Sequence, residues 1–318
     1  MGHPEFLNDV DPADLDQYFG VAQCKVLPPR DLYHPVLPYR EGEKLTFPLC
    51  AACVKDQLTQ PLVNKWYACH HMDHERALQG TWCTPKLQKA VDKGYKILHI
   101  DELWHFPQSQ VGVFKDYVDT WLEIKEEASW KGTEGEKAEY IQRYHEKEGI
   151  PLDVLNMEYN PGLRQVAKIM LNSMWGKFGQ QVNKTQVKEF VDHVAFHKFL
   201  ESDQHNVRYA SPLTEERVEV HYKLQEGGVS VSPNLNIFIA SFTTCWARLH
   251  LYEALELLGE RCLYYDTDSV IFISRPGETD PPLGDFLGEF KDELDAGDHI
   301  IEFVSGGPKN YGYQTIAR

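Results

Sequence analysis

The chain has 318 residues, 42% of them hydrophobic, which is enough to bury a sizeable core in two or three subdomains. A formal net charge of −16 at pH 7 argues against a general nucleic-acid binder, because phosphate neutralisation demands basic surface; any such contact must come from local clusters of Lys and Arg. No apolar run is long enough to span a bilayer and the first residues lack a signal-peptide pattern, so an intracellular chain is expected, nuclear or cytoplasmic and not secreted.

Residues 1–48 are Pro-rich, as in Val26-Leu-Pro-Pro-Arg30 and His34-Pro-Val-Leu-Pro38, and read as irregular extended segments. Seven cysteines in an intracellular chain read as metal ligands or free thiols rather than disulfides. Cys50-Ala-Ala-Cys53 followed by Cys69-His-His71 has the spacing of a structural tetrahedral zinc site. The preferred set is Cys50, Cys53, Cys69 and His71, with His70, His74 or Cys83 able to replace the fourth ligand. Buried thiols without metal are the competing reading. Cys24, Cys245 and Cys262 are scattered and read as core.

Further on, residues 87–93 read as helix, 95–106 as an alternating strand and 113–128 as helix; 130–148 is charged, either a hairpin tip or a mobile loop. A helix then opens with Asn160 as N-cap and Pro161 at its first position. On a wheel of about 100° per residue, Leu163, Val166, Ala167, Met170 and Met174 gather on one side. Arg164, Lys168, Asn172 and Trp175 gather on the other, a face that suits a triphosphate and a base. An ordinary amphipathic helix with a solvated basic face explains the same pattern. Gly176 and Gly179 read as closing the helix where a backbone or nucleic acid strand comes near.

Residues 182–234 alternate as several strands, and 236–258 form a long amphipathic helix in which Arg248 reaches a carboxylate or is solvated. The sharpest signal follows in Leu263-Tyr-Tyr-Asp-Thr-Asp-Ser-Val-Ile-Phe272, two apolar strands around a tight turn. In an extended chain Asp266 and Asp268 share a face, and two like charges so placed are relieved by a hard divalent cation such as Mg²⁺. A solvated turn is the plainer reading.

Lys168-x-x-x-Asn172-Ser-x-Trp-Gly176 followed by Tyr264-x-Asp-Thr-Asp-Ser269 resembles motifs B and C of family B DNA polymerases, most of all the protein-primed branch of viruses, linear plasmids and large self-synthesising transposons. Lys309-Asn-Tyr311 resembles the family's primer-holding Lys-x-Tyr motif, and residues 94–129 are similar to the transposon subgroup. The resemblance implies an α+β fold: a palm of antiparallel sheet with helices, helical fingers, and here a small zinc-knuckle region. It implies a DNA-directed DNA polymerase using Mg²⁺ or Mn²⁺, with primer–template DNA and deoxynucleoside triphosphates as partners, a terminal-protein primer in addition, and no membrane.

By the same resemblance Asp268 is a ligand of the catalytic metals, Asp266 supports it, and Tyr264 lies near the incoming sugar. Arg164 and Lys168 neutralise the triphosphate, while Asn172 and Trp175 (Tyr in most of the family) flank the nascent base pair. Ser173, Gly176, Lys309 and Tyr311 contact DNA. The expected division is 1–48 as residual palm, 49–93 zinc-binding, 94–181 palm strand and fingers, 182–235 a β-rich insertion, and 236–318 palm. The family's Asp-x-x-Ser-Leu-Tyr-Pro block, which carries a third carboxylate, does not occur in the 318 residues. The expectation is therefore a carboxy-terminal part of a larger polymerase, weak or inactive alone. The alternatives are a non-catalytic, transposon-derived nucleic-acid-binding remnant with a structural zinc site, or a different metal-dependent phosphotransferase or a reverse transcriptase, the last of which would carry adjacent aspartates.

Overall fold

The structure is a computed structural model and describes residues 2–59, 69–225 and 235–317. It divides into two compact units, one of Met1–Leu171 with Ser241–Arg318 and one of Asn172–Ala240.

The first unit is organised by strand β2 (Gly20–Leu27), which follows the short β1 (Glu5–Leu7). Its alternate residues Ala22, Cys24 and Val26 are fully buried, the period of two expected of a strand with one face on a core. Residues 1–48 are thus not irregular, as their prolines suggest. The strand itself, Gly20–Leu27, contains no proline, and the polar alternates Gln23 and Lys25 mark its outer face. A hairpin of β3 (Tyr39–Glu41) and β4 (Lys44–Thr46) follows, then α1 (Ala51–Thr59) and the single turn α2 (Asp73–Arg76). β5 (Leu78–Cys83), α3 (Thr84–Asp92) and β6 (Lys96–His105) complete the sheet, which has the order β1-β6-β2-β5 with every pairing antiparallel. Gly20 is where β6 comes closest: a Cβ there would lie 1.8 Å from the Trp104 carbonyl oxygen, so only glycine fits.

Next come α4 (Lys115–Glu127) and α5 (Glu134–Glu148), packed on each other through Leu122, Tyr144 and Ile150. The charged stretch read as a hairpin tip or loop is therefore mostly helix. Thr133 N–H donates to Glu136 Oε2 at 2.8 Å at its start, and Gly149 at φ +72° ends it. α6 (Pro161–Phe178) runs from the first unit into the second.

Within the second unit, β7 (Gln186–Phe190), α7 (His193–Leu200), β8 (His205–Thr214) and β9 (Arg217–Leu224) build a sheet of order β7-β9-β8 with its own core of Phe190, Phe199, Val220 and Tyr222. Residues 226–234 of the stretch read as strands lie outside the described residues.

The chain returns through α8 (Ile237–Leu258), whose Leu251, Tyr252 and Leu255 are buried in the core of the first unit. Tyr252 donates its hydroxyl to the His34 carbonyl at 2.6 Å. Two hairpins end the fold: β10 (Cys262–Asp266) with β11 (Ser269–Phe272), and β12 (Ile300–Gly307) with β13 (Asn310–Thr315). Cys262, Tyr265, Val270 and Phe272 sit on the same core as α8, which anchors the first hairpin from its base to the pair next to its turn. Among the described residues no helix is long and apolar enough to cross a membrane.

Candidate functional site

Strand pairing closes the first hairpin at Asp266↔Ser269, leaving Thr267 and Asp268 as a two-residue turn. The extended-chain argument for two parallel carboxylates stops at this point. Asp266 ends a strand, whereas Asp268 is carried round by Thr267 at φ +54°. A β-branched residue in the left-handed region stores strain, of a kind that clusters at functional sites. Asp268 N–H donates to the Asp266 carbonyl at 2.6 Å, and Thr267 Oγ1 donates to Asp266 Oδ1 at 3.0 Å.

The second hairpin meets the first. Lys309, at φ +56° in its turn, donates its backbone N–H to the Tyr264 hydroxyl at 2.7 Å and its ammonium to Asp266 Oδ2. The Tyr264 and Tyr311 rings lie 4.7 Å apart. Lys309 first, then the Thr267 hydroxyl, hold the Asp266 carboxyl below the usual carboxylate range, and the carboxylate in turn pushes the Lys309 ammonium up. Asp266, Tyr264, Lys309 and Tyr311 thus form one cluster, with Asp268 exposed beside it on the turn.

α6 starts as its sequence predicts, with Leu163 N–H donating to Asn160 Oδ1 at 3.0 Å. Of its apolar face, Ala167 is fully buried and Met170 and Met174 are half-buried, as read, whereas Leu163 and Val166 are exposed and Leu171 turns inward. The reason is a rotation of the helix towards the α4–α5 core, where Leu171 packs and Tyr117 donates to the Met170 carbonyl at 3.0 Å. Arg164 is half-buried and donates Nε to Ser129 Oγ at 3.0 Å, while Lys168 points into solvent.

Farther along, Asn172 and Trp175 are exposed. Ser173 and Gly176 line an open depression of about 540 Å³ with Lys177 and Lys184. Gly176 lies inside α6 rather than closing it. Gly179 follows the helix, and a Cβ there would stand 2.9 Å from Ala240 Cβ.

Arg248 is half-buried and pairs with no carboxylate among the described residues. Its guanidinium lies over Phe47 at 4.4 Å and Tyr265 at 5.0 Å, and its buried Nε and Nη2 have no hydrogen-bond partner among the described residues. Nothing in the spacing of α8 signals those aromatics, which come from distant segments.

A separate cluster stands at α1. One ligand atom from each of Cys50, Cys53, Cys69 and His71 falls within 4.8 Å of all the others. The three sulfurs lie 3.5, 3.4 and 3.7 Å from His71 Nδ1. His70 and His74 are exposed and outside the group, and Cys83 is buried with Phe242 and Cys245 instead. Cys24, Cys245 and Cys262 are buried, as read. The sequence reading missed Asp56, whose Oδ2 is 3.2 Å from His71 Nε2, and the buried Arg76, which donates to the carbonyl of Leu49 next to Cys50.

The chain resembles known proteins along most of its length. Residues 1–256 match the family described as DNA polymerase type B, organellar and viral. A DNA polymerase of Kluyveromyces lactis is 33% identical over 111 residues, which is 34% of this chain and 10% of the yeast protein. Phi29 DNA polymerase, solved with primer-template DNA and incoming nucleotides, aligns over 86% of this chain and 35% of its own, with 15% identity and a TM-score of 0.46. The chain therefore spans about a tenth and about a third of the lengths of these two relatives. With a family match across more than half its residues, the chain belongs to the organellar and viral type B DNA polymerases.

Proposed function

We propose that this chain carries a working part of the centre for template-directed DNA synthesis, in which a primer 3′-hydroxyl forms a bond to the α-phosphate of a deoxynucleoside triphosphate as the α–β phosphoanhydride bond breaks. The observation that carries the reading is the convergence of Lys309 and Tyr311 on the Asp266–Asp268 turn in a chain of this family.

Asp266 and Asp268 offer hard oxygen donors at an exposed turn, which fits Mg²⁺ or Mn²⁺. Such an ion, when bound, supplies positive charge to the phosphate oxygens and lowers the pKa of the attacking hydroxyl. The protein's own share is positioning and charge. Lys168, exposed on α6, meets the triphosphate, and Arg164 beside it adds positive field while tethered to Ser129. Tyr264, pinned by the Lys309 N–H, borders the incoming sugar. Lys309 and Tyr311 hold the primer backbone; Ser173 and Gly176 border DNA at the Lys177–Lys184 depression; Asn172 and Trp175 flank the new base pair.

The test is the stability of the complex with primer–template DNA in Mn²⁺. The next complementary nucleotide is expected to slow its dissociation where a mismatched one does not, and Lys168→Ala is expected to weaken that effect about tenfold, the size of one lost charge-assisted contact. Equal stabilisation by all four nucleotides would sink the reading.

A further inference from the structure

We propose that Cys50, Cys53, Cys69 and His71 form a closed, four-coordinate structural zinc site, and that Asp56 is the residue that positions His71 within it. This goes beyond the polymerase reading and does not depend on it.

Distances make the first argument. A tetrahedral zinc with bonds of about 2.3 Å to sulfur and about 2.0–2.1 Å to nitrogen has sulfur–nitrogen edges of about 3.6 Å. The three edges to His71 Nδ1 are 3.5, 3.4 and 3.7 Å. Hydrogen bonding alone does not explain the convergence. A ring nitrogen carries at most one proton or one lone pair, so it serves one sulfur well and not three. A common centre satisfies all four atoms at once.

The surroundings make the second argument. Cys53 N–H donates to Cys50 Sγ at 3.4 Å, which stabilises a thiolate. His71 turns its other nitrogen to Asp56 Oδ2 at 3.2 Å. A carboxylate on the distal nitrogen fixes the tautomer that leaves Nδ1 free to bind metal and raises its basicity. The frame is also held independently of any metal. Arg30 donates to the His71 carbonyl at 3.3 Å, and Arg76 donates to the Leu49 carbonyl, next to Cys50, at 3.2 Å.

The donor set selects the ion. Three thiolates and an imidazole favour zinc over Mg²⁺ or Ca²⁺, and four protein ligands leave no position for substrate. The metal is therefore structural. It ties the first turn of α1 to the Cys69–His71 segment.

Elemental analysis of the purified chain, with Co²⁺ substitution followed by absorption, tests the proposal. About one zinc per chain is expected, and cobalt is expected to give tetrahedral bands with thiolate charge transfer. Cys69→Ser should lose the metal, whereas His70→Ala and His74→Ala should keep it. Asp56→Asn should keep the cobalt bands but raise the metal Kd about 10- to 100-fold, with Asp56→Glu restoring it. Should Cys69→Ser fail to fold, the wild-type cobalt spectrum still decides. A folded wild-type chain with no bound zinc and no tetrahedral cobalt spectrum overturns the site, as does full metal retention in a folded Cys69→Ser chain. Unchanged affinity in Asp56→Asn overturns the positioning role.

Discussion

Asp268→Asn is expected to lower the rate of single-nucleotide incorporation about 10³-fold or more, equivalent to about 4 kcal/mol of transition-state stabilisation, while leaving folding stability within about 0.5 kcal/mol. The two effects separate because Asp268 is exposed on a two-residue turn and carries no packing. Asparagine keeps the size and hydrogen-bonding capacity of the side chain and removes only the charge. That charge is what holds a divalent cation, and the cation in turn offsets the negative charge of the phosphoryl transition state. Asp266→Asn should cost incorporation comparably, but it also disturbs Lys309, which loses its anionic partner. Single-turnover kinetics in Mn²⁺ alongside a urea melt of each variant would distinguish the two. A loss of stability as large as the loss of rate in Asp268→Asn would mean that the turn is structural.

Arg76→Met should destabilise the fold by about 3–5 kcal/mol, because three carbonyls lose their donor at about 1–3 kcal/mol for each group left unsatisfied. Arg76 is 3% exposed. Its Nη2 donates to the carbonyls of Pro28 and Pro29 at 2.9 Å each and of Leu49 at 3.2 Å, and its Nη1 to Asp73 at 3.2 Å. Those carbonyls belong to two separate segments, and proline offers no donor of its own. Removing the guanidinium leaves them without a protein donor and loosens the frame around Cys50. The measurement is the urea midpoint, with an unchanged slope showing that the unfolded state is not the cause. A midpoint shift equivalent to less than about 1 kcal/mol would mean that water replaces the guanidinium at little cost.

Much of this was legible in the residues because it is local. The Asp266–Asp268 hairpin, the Asn160 cap and the Cys-x-x-Cys with Cys-x-His pattern each declare themselves within a short stretch, through turn chemistry, capping and ligand spacing. What stayed hidden depends on partners far along the chain. β2 was masked by the prolines that follow it, and it becomes a strand because β5 and β6 pair with it from both sides. The exposure of Leu163 and Val166 and the inward turn of Leu171 follow from where the α4–α5 core lies, not from the wheel of α6. Asp56 and Arg248 owe their settings to His71 and to Phe47 and Tyr265, which no periodicity connects to them. The pairing of Lys309 with Asp266 is of the same kind: both residues stand out as motif members, but only the folded hairpins bring ammonium to carboxylate.

Primer extension by the purified chain in Mn²⁺ is the most direct test of template-directed synthesis, using four primer–templates that differ only in the templating base and labelled nucleotides offered one at a time. The account predicts slow addition of the nucleotide complementary to each template, abolished in Asp268→Asn. Addition that ignores the templating base, or addition that persists in the variant, would contradict it.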